Sequence, residues 1–113
     1  PKIFYVNWFR KDADGKFLWP GYGENSRVLE WVCRRVDGEG EIVETPIGYV
    51  PAPGDLNTEG LDINDADLEQ LLTVDPELVK AELPQVKEFL GQFGDRLPNE
   101  IRVQLDTLER KLA

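Results

Sequence analysis

The run Phe17–Trp31, FLWPGYGENSRVLEW, is the most informative stretch of the chain, because it sets aromatic rings, glycines and a proline directly before a helix-opening signal. Rings held by a stiff turn form a stacking slot for a flat ligand. Backbone N–H groups at a helix start supply hydrogen-bond donors for a ligand that carries oxygen. The run therefore predicts a pocket for a nucleotide base.

The candidate binding residues are Phe9, Phe17 and Tyr22 for stacking and Asn25 for the edge of the base. Guanine carries an acceptor at O6 where adenine carries a donor at N6, so a fixed N–H from Asn25 distinguishes the two bases. From the residues alone, such rings are more often core residues than ligand contacts. Asn25 is equally well explained as an ordinary helix N-cap.

Composition narrows the class of protein. The chain has 113 residues, enough for one domain, and 13 Lys and Arg against 22 Asp and Glu give a net charge of −9. That balance disfavours nucleic acid and anionic membranes as partners. The single cysteine cannot form an internal disulfide and fits a cytoplasmic location. Without histidine, neither a usual zinc site nor a His-assisted catalytic triad is available, so we predict no metal ligands and no catalytic residues here.

The pattern of residues predicts an α+β fold with a few short strands, one helix after the base-binding loop, and an acidic helical tail. The segment Lys2–Phe9 is rich in β-branched and aromatic residues, which is typical of a strand buried on both faces. A helix is predicted to begin at Asn25 or Ser26 and to end at Gly38. Its predicted apolar face, which includes Cys33 as a core thiol, comprises Val28, Leu29, Val32, Cys33 and Val36.

The segments Glu41–Glu44 and Pro46–Val50 are predicted to be short strands or extended segments, and helices are predicted after a loop over 51–60. Asn64 and Asp75 are predicted N-caps, Pro84 is predicted to kink or restart its helix, and Pro98 is predicted to open the last one. We expect a single domain over residues 1–113, with a base-binding part in 1–53 and a helical part in 54–113. The chain begins at Pro1 and has no methionine, which indicates a piece of a longer protein.

A resemblance to a known family covers much of the chain. Besides Phe17–Trp31, the segments Pro1–Lys11 (PKIFYVNWFRK) and Thr45–Pro51 (TPIGYVP) closely resemble GTP-dependent phosphoenolpyruvate carboxykinase, and the acidic tail resembles bacterial members. In that family, guanine lies in an aromatic pocket, and an asparagine just past the Gly-aromatic-Gly turn contacts its edge. The resemblance assigns these roles to Phe9, Phe17, Tyr22 and Asn25; the third ring is usually phenylalanine, and here it is Tyr22.

The resemblance implies a part of a larger α/β enzyme that converts oxaloacetate and GTP to phosphoenolpyruvate, CO₂ and GDP in gluconeogenesis. It implies that a manganese ion and a nucleotide-bound magnesium ion are held by residues outside this chain, with the remainder of the enzyme as partner. Two alternatives remain open at this stage. One is a free-standing acidic module that binds a proline-rich peptide in an aromatic groove, and the other is an excised fragment that binds nothing by itself.

Overall fold

The computed structural model describes residues 1–113 and has an α+β architecture, as predicted. A two-stranded antiparallel sheet and four α-helices make up its regular structure, with 3₁₀ turns at Tyr22–Glu24 and Gly94–Arg96. In chain order the elements are α1 (Asn25–Val36), β1 (Ile42–Thr45), β2 (Gly48–Pro51), α2 (Asp65–Leu72), α3 (Pro76–Gly91) and α4 (Asn99–Leu112). No helix combines the length and the apolar character needed to cross a membrane.

The chain forms two compact units. The first comprises Pro1–Glu44 and Tyr49–Thr73, and the second comprises Thr45–Gly48 and Val74–Ala113. The division after Thr73 lies further along the chain than the predicted division after residue 53. The reason is that the loop and α2 pack on the first unit: Leu56 is buried with two tryptophans, and Leu68 and Leu71 pack against this cluster. The single-domain prediction and its internal division stay predictions.

The predicted first strand does not form. Residues 2–7 have no regular secondary structure and lie at the surface, with Ile3 and Tyr5 almost fully exposed. The segment still alternates as a strand does, because Phe4 and Val6 are less than half as exposed as their odd-numbered neighbours. A strand needs a neighbouring strand for its backbone hydrogen bonds, and the sheet of this chain consists of β1 and β2 alone.

Helix α1 buries only one side of its predicted face, where Val28 and Val32 pack against the core cluster. Trp31, at 5% exposure, is its buried residue, whereas Leu29 and Val36 are exposed. Cys33 is also exposed, so its assignment as a core thiol is wrong. This side is buried because Trp31, the largest side chain available, joins Trp19 and Leu56 in the core. The predicted end of the helix is confirmed, since Gly38 follows it with a φ of 85°.

The later helices begin where their capping residues predict. The side-chain oxygen of Asn64 accepts a hydrogen bond from the Asp67 N–H at 2.8 Å, and that of Asp75 accepts one from the Glu77 N–H at 2.9 Å. Helix α3 does not restart at Pro84 but runs through it. Both Pro84 and Lys80, whose carbonyl loses its usual partner, are exposed, so water can replace the missing bond.

Candidate aromatic binding site

A tight turn brings the two phenylalanines of the predicted site together. The Asp12 carboxylate accepts hydrogen bonds from the N–H groups of Asp14 and Lys16, both at 2.9 Å, and Gly15 has the positive φ that the turn requires. Beyond the turn the arms pair: Lys11 and Phe17 form an antiparallel bridge, and the Leu18 N–H donates to the Arg10 carbonyl at 2.9 Å. This pairing sets Phe9 beside Phe17.

Phe9 and Phe17, here called the aromatic pair, meet edge to face. Their ring centroids are 6.2 Å apart and their planes are inclined by 64°. Phe9 is 72% exposed and Phe17 is 51% exposed, so neither ring belongs to the core. The Lys11 ammonium lies 4.9 Å from the Phe17 centroid, within the range of a cation–π contact. The pair thus presents apolar ring surface, with a positive charge over the Phe17 ring.

Two tryptophans close in sequence to the aromatic pair pack in the core. Trp8 and Trp19 pack with centroids 6.1 Å apart, and Trp19 belongs to the buried cluster with Trp31 and Leu56. Because each phenylalanine is one or two positions from a packed tryptophan, the hairpin arms are held while the pair stays at the surface. We call the cluster of Trp8, Trp19, Trp31 and Leu56 the tryptophan core.

Tyr22 lies on the second turn of the site. Gly21 has a φ of 139°, a backbone conformation that favours glycine. The 3₁₀ turn Tyr22–Glu24 follows it directly. The Tyr22 side chain is 91% exposed and makes no ring contact with the aromatic pair. The structure therefore brings two of the three predicted rings into contact and leaves the third free at the surface.

Asn25 is the first residue of α1 and does not cap it. The N-cap position belongs to Glu24, which makes no side-chain capping bond, so the predicted capping role of Asn25 is wrong. Its side-chain oxygen instead accepts a hydrogen bond from the Trp19 indole N–H at 2.8 Å. The backbone N–H of Asn25 donates to the Tyr22 carbonyl. Sequence reasoning missed the Trp19–Asn25 bond, because no local pattern links a tryptophan to an asparagine six positions later.

The nearby arginines are engaged in structural contacts. Arg10 donates to the carbonyls of Leu71 and Thr73 at 3.1 and 2.8 Å, at the end of α2. Arg27 forms an ion pair with Glu24 at 2.7 Å. Arg27 and Glu24 line an open cleft of about 690 Å³, and none of the predicted site residues lines it. Its lining, which is rich in carboxylates and so disfavours a phosphate, comprises Glu24, Ser26, Arg27, Glu30, Asn57 and Glu59.

Asp55 ties the loop after β2 to α1. Its carboxylate accepts a hydrogen bond from the Trp31 indole N–H at 2.7 Å and one from Arg34 at 3.3 Å. Partial desolvation acts to raise the pKa of Asp55, but the bonds from Trp31 and Arg34, together with the Arg34 charge, hold that pKa below its usual value. Asp55 therefore stays ionised and fixes the orientation of Trp31 in the tryptophan core.

The side chains do not assemble a metal site. No group of three or more His, Cys, Asp or Glu side chains comes together in a way that could hold an ion. The donor set of this chain thus does not fit the manganese and magnesium ions that the family resemblance implies for the larger enzyme.

Comparison with known proteins gives a consistent result. Residues 1–111 match the family model described as the phosphoenolpyruvate carboxykinase C-terminal P-loop domain. Proteins named phosphoenolpyruvate carboxykinase [GTP] are similar along nearly the whole chain: the Neocallimastix frontalis protein is 54% identical over 99% of this chain. Those of Arthrobacter sp. (strain FB24) and Treponema pallidum (strain Nichols) are 48% and 51% identical over 100% and 99% of it.

The match covers only a part of each relative. The chain spans 18% of the length of these three proteins. The comparisons do not support the alternative of a free-standing module that binds a peptide in an aromatic groove.

Proposed function

We propose that this chain supplies the guanine-binding part of a larger enzyme, because it belongs to the family of GTP-dependent phosphoenolpyruvate carboxykinases. The full-length protein then converts oxaloacetate and GTP to phosphoenolpyruvate, CO₂ and GDP, in the direction of gluconeogenesis. Phe9, Phe17 and Tyr22 hold the guanine ring, and Asn25 reads its edge. A cytoplasmic location stays a prediction from composition.

One observation carries the proposal: the aromatic pair is exposed although buried positions lie next to it. Phe9 and Phe17 leave 72% and 51% of their surface exposed, while the neighbouring Leu18 and Trp19 are buried at 6% and 5%. Large apolar rings at the surface, set on a rigid support, are typical of a binding site. Each stacked base gains about 1–3 kcal/mol from such rings.

The proposal divides the nucleotide between two parts of the enzyme. This chain holds the base, since it has the exposed rings and an amide but neither a Gly-rich loop of the G-x-x-x-x-G-K-[ST] type nor a set of metal ligands. The phosphates, the manganese and magnesium ions and oxaloacetate bind to residues outside these 113. When bound, the metal ions neutralise charge on the phosphates; the side chains described here only bind and orient the base.

The proposal predicts weak binding and no turnover by the isolated chain. The net charge of −9 repels phosphates, and only part of that repulsion is offset by Lys11 over Phe17. Stacking must also compete with the freedom lost on association. We expect GDP to be preferred over ADP at an affinity no better than about millimolar. Guanosine should perturb the four site residues, Phe9, Phe17, Tyr22 and Asn25, about as strongly as GDP does.

The direct test replaces Phe9 in the full-length protein. Phe9→Ala should raise the KM for GTP and leave the KM for oxaloacetate nearly unchanged, because the ring contacts the base alone. Phe89→Ala is a matched control: Phe89 is 56% exposed and forms an edge-to-face pair with Phe93 at 5.5 Å, in the other unit. If both variants, or neither, change the KM for GTP, the assignment of the aromatic pair to guanine is wrong.

A further inference from the structure

We propose that Trp19 is a positioning residue for base recognition: its indole N–H fixes the Asn25 amide in the orientation that offers N–H donors to guanine O6. The proposal rests on the proposed function, and deepens it by naming what sets the choice between guanine and adenine. Trp19 does not contact the base in this scheme. It acts through Asn25, to which it is joined by the 2.8 Å hydrogen bond.

The chemistry of the bond determines which way the amide faces. An indole nitrogen can donate but cannot accept, so the Asn25 atom facing it must be the oxygen. The amide nitrogen is then left with both of its N–H donors and has no partner in the structure. An asparagine without such a neighbour can turn its amide over and present either oxygen or nitrogen.

The support for the bond is rigid. Trp19 is 5% exposed and packs against Trp8, Trp31 and Leu56, so its ring cannot follow a turning amide. Turning the amide would set its NH₂ group against the indole N–H and leave that donor, which is largely shielded from water, without a partner. The tryptophan core therefore holds Asn25 in one of its two possible orientations.

The side chain is also the donor that remains available at this residue. The backbone N–H of Asn25 already donates to the Tyr22 carbonyl. The side chain is not used as a helix cap, since the N-cap position is Glu24 and has no side-chain bond. An asparagine at a helix start that caps nothing, and is held instead by a buried indole, is suited to recognition.

The orientation explains selectivity for guanine. An amide that offers N–H groups pairs with the O6 acceptor of guanine and repels the N6 donor of adenine. If Asn25 were free to turn, its oxygen would accept from adenine N6, and the discrimination would be lost. The Trp19 bond penalises that second orientation.

The test compares GTP with ATP in the full-length protein. Trp19→Phe keeps a ring in the core but removes the N–H, and it should lower the ratio of kcat/KM for GTP to that for ATP by about tenfold. The kcat at saturating GTP should stay unchanged. Inosine triphosphate has the same O6 acceptor and no 2-amino group. The ratio of its kcat/KM to that for ATP should therefore fall by the same factor as the ratio for GTP.

Two controls separate positioning from general stability. Trp8→Phe removes another indole from the same core and should leave the GTP/ATP ratio unchanged. In an Asn25→Ala background, Trp19→Phe should cause no further loss of selectivity, because the amide that it orients is gone. A purely structural role for Trp19 would instead change the KM for GTP and for ATP alike. If Trp19→Phe does not fold, 3-benzothienylalanine at position 19, which keeps both fused rings and has sulfur in place of the N–H, removes the same donor and is judged by the same ratio.

The outcomes are distinct. If Asn25→Ala lowers the GTP/ATP ratio and Trp19→Phe does not, the positioning role is overturned and the guanine site stands. If Asn25→Ala leaves the ratio unchanged, Asn25 does not read the base, and both the recognition and its positioning are overturned.

Discussion

The tryptophan core and the aromatic pair use the same kind of side chain, a few residues apart, for opposite purposes. Trp19 and Trp31 are 5% exposed and hold the first unit together, whereas Phe9 and Phe17 keep half or more of their surface open. The difference is local: Trp8 and Trp19 pack in the core, whereas Phe9 and Phe17, one and two positions away from them, lie at the surface. Aromatic density by itself therefore does not distinguish a core from a candidate binding surface; the burial of each ring does.

The largest expected effect is on the stability of the core. Trp31→Ala should lower the free energy of unfolding of the chain by about 3–5 kcal/mol, because it removes a buried ring and leaves Asp55 without its indole donor. Phe9→Ala should change it by less than about 0.5 kcal/mol, since the ring is exposed. Urea unfolding of both variants measures the contrast. Equal losses in the two variants would show that Phe9 is a core residue.

The second prediction concerns binding at the exposed rings. Tyr22→Ala in the full-length protein should weaken guanine-nucleotide binding by about 1–3 kcal/mol, the stacking contribution of one ring. The free energy of unfolding should hardly change, because Tyr22 is 91% exposed and packs on no other ring. Nucleotide titration gives the first quantity and urea unfolding the second. A loss of stability without a loss of binding would contradict the division between core and site.

The α+β class and the caps at Asn64 and Asp75 could be predicted, because each depends on residues close in sequence. The absence of the first strand could not be predicted. Its residues have strand propensity, but a strand forms only with a neighbour, and propensity does not reveal whether one is present. The segment thus alternates as a strand does without being paired.

The residues of the candidate site could be predicted from the sequence, but the contacts between them could not. The aromatic residues and Asn25 were identified from one run of sequence and a family resemblance, and their binding role stays a prediction. The buried face of α1 was only partly predicted: Val28 and Val32 do pack on the core, but the large side chain of Trp31 is buried in place of Leu29 and Val36. The bonds from Trp19 to Asn25 and from Trp31 to Asp55 depend on tertiary packing, so no local spacing indicates them.

The third prediction concerns how the stability contributed by ionised Asp55 depends on pH. The pKa of folded Asp55 lies below the ordinary value of about 3.8, so its ionised form contributes stability above that pH, and the contribution is lost as the pH falls through the folded pKa. Asp55→Asn should therefore lower the melting temperature at pH 7, and the difference from wild type should shrink below about pH 4. A difference in melting temperature that is constant with pH would show that the charge of Asp55 does not contribute to stability.

The smallest expected effect comes from Tyr22→Phe, which introduces the ring that the family resemblance implies at this position. The hydroxyl group lies at the edge of the ring and has no hydrogen-bond partner in the structure, so its removal leaves no donor or acceptor unpaired. The stacking face is the same in both side chains. The KM for GTP of the full-length protein should therefore change by no more than about twofold, against the much larger change in Tyr22→Ala. A tenfold change would mean that the hydroxyl itself bonds to the nucleotide, and that Tyr22 reads the ligand as well as stacking on it.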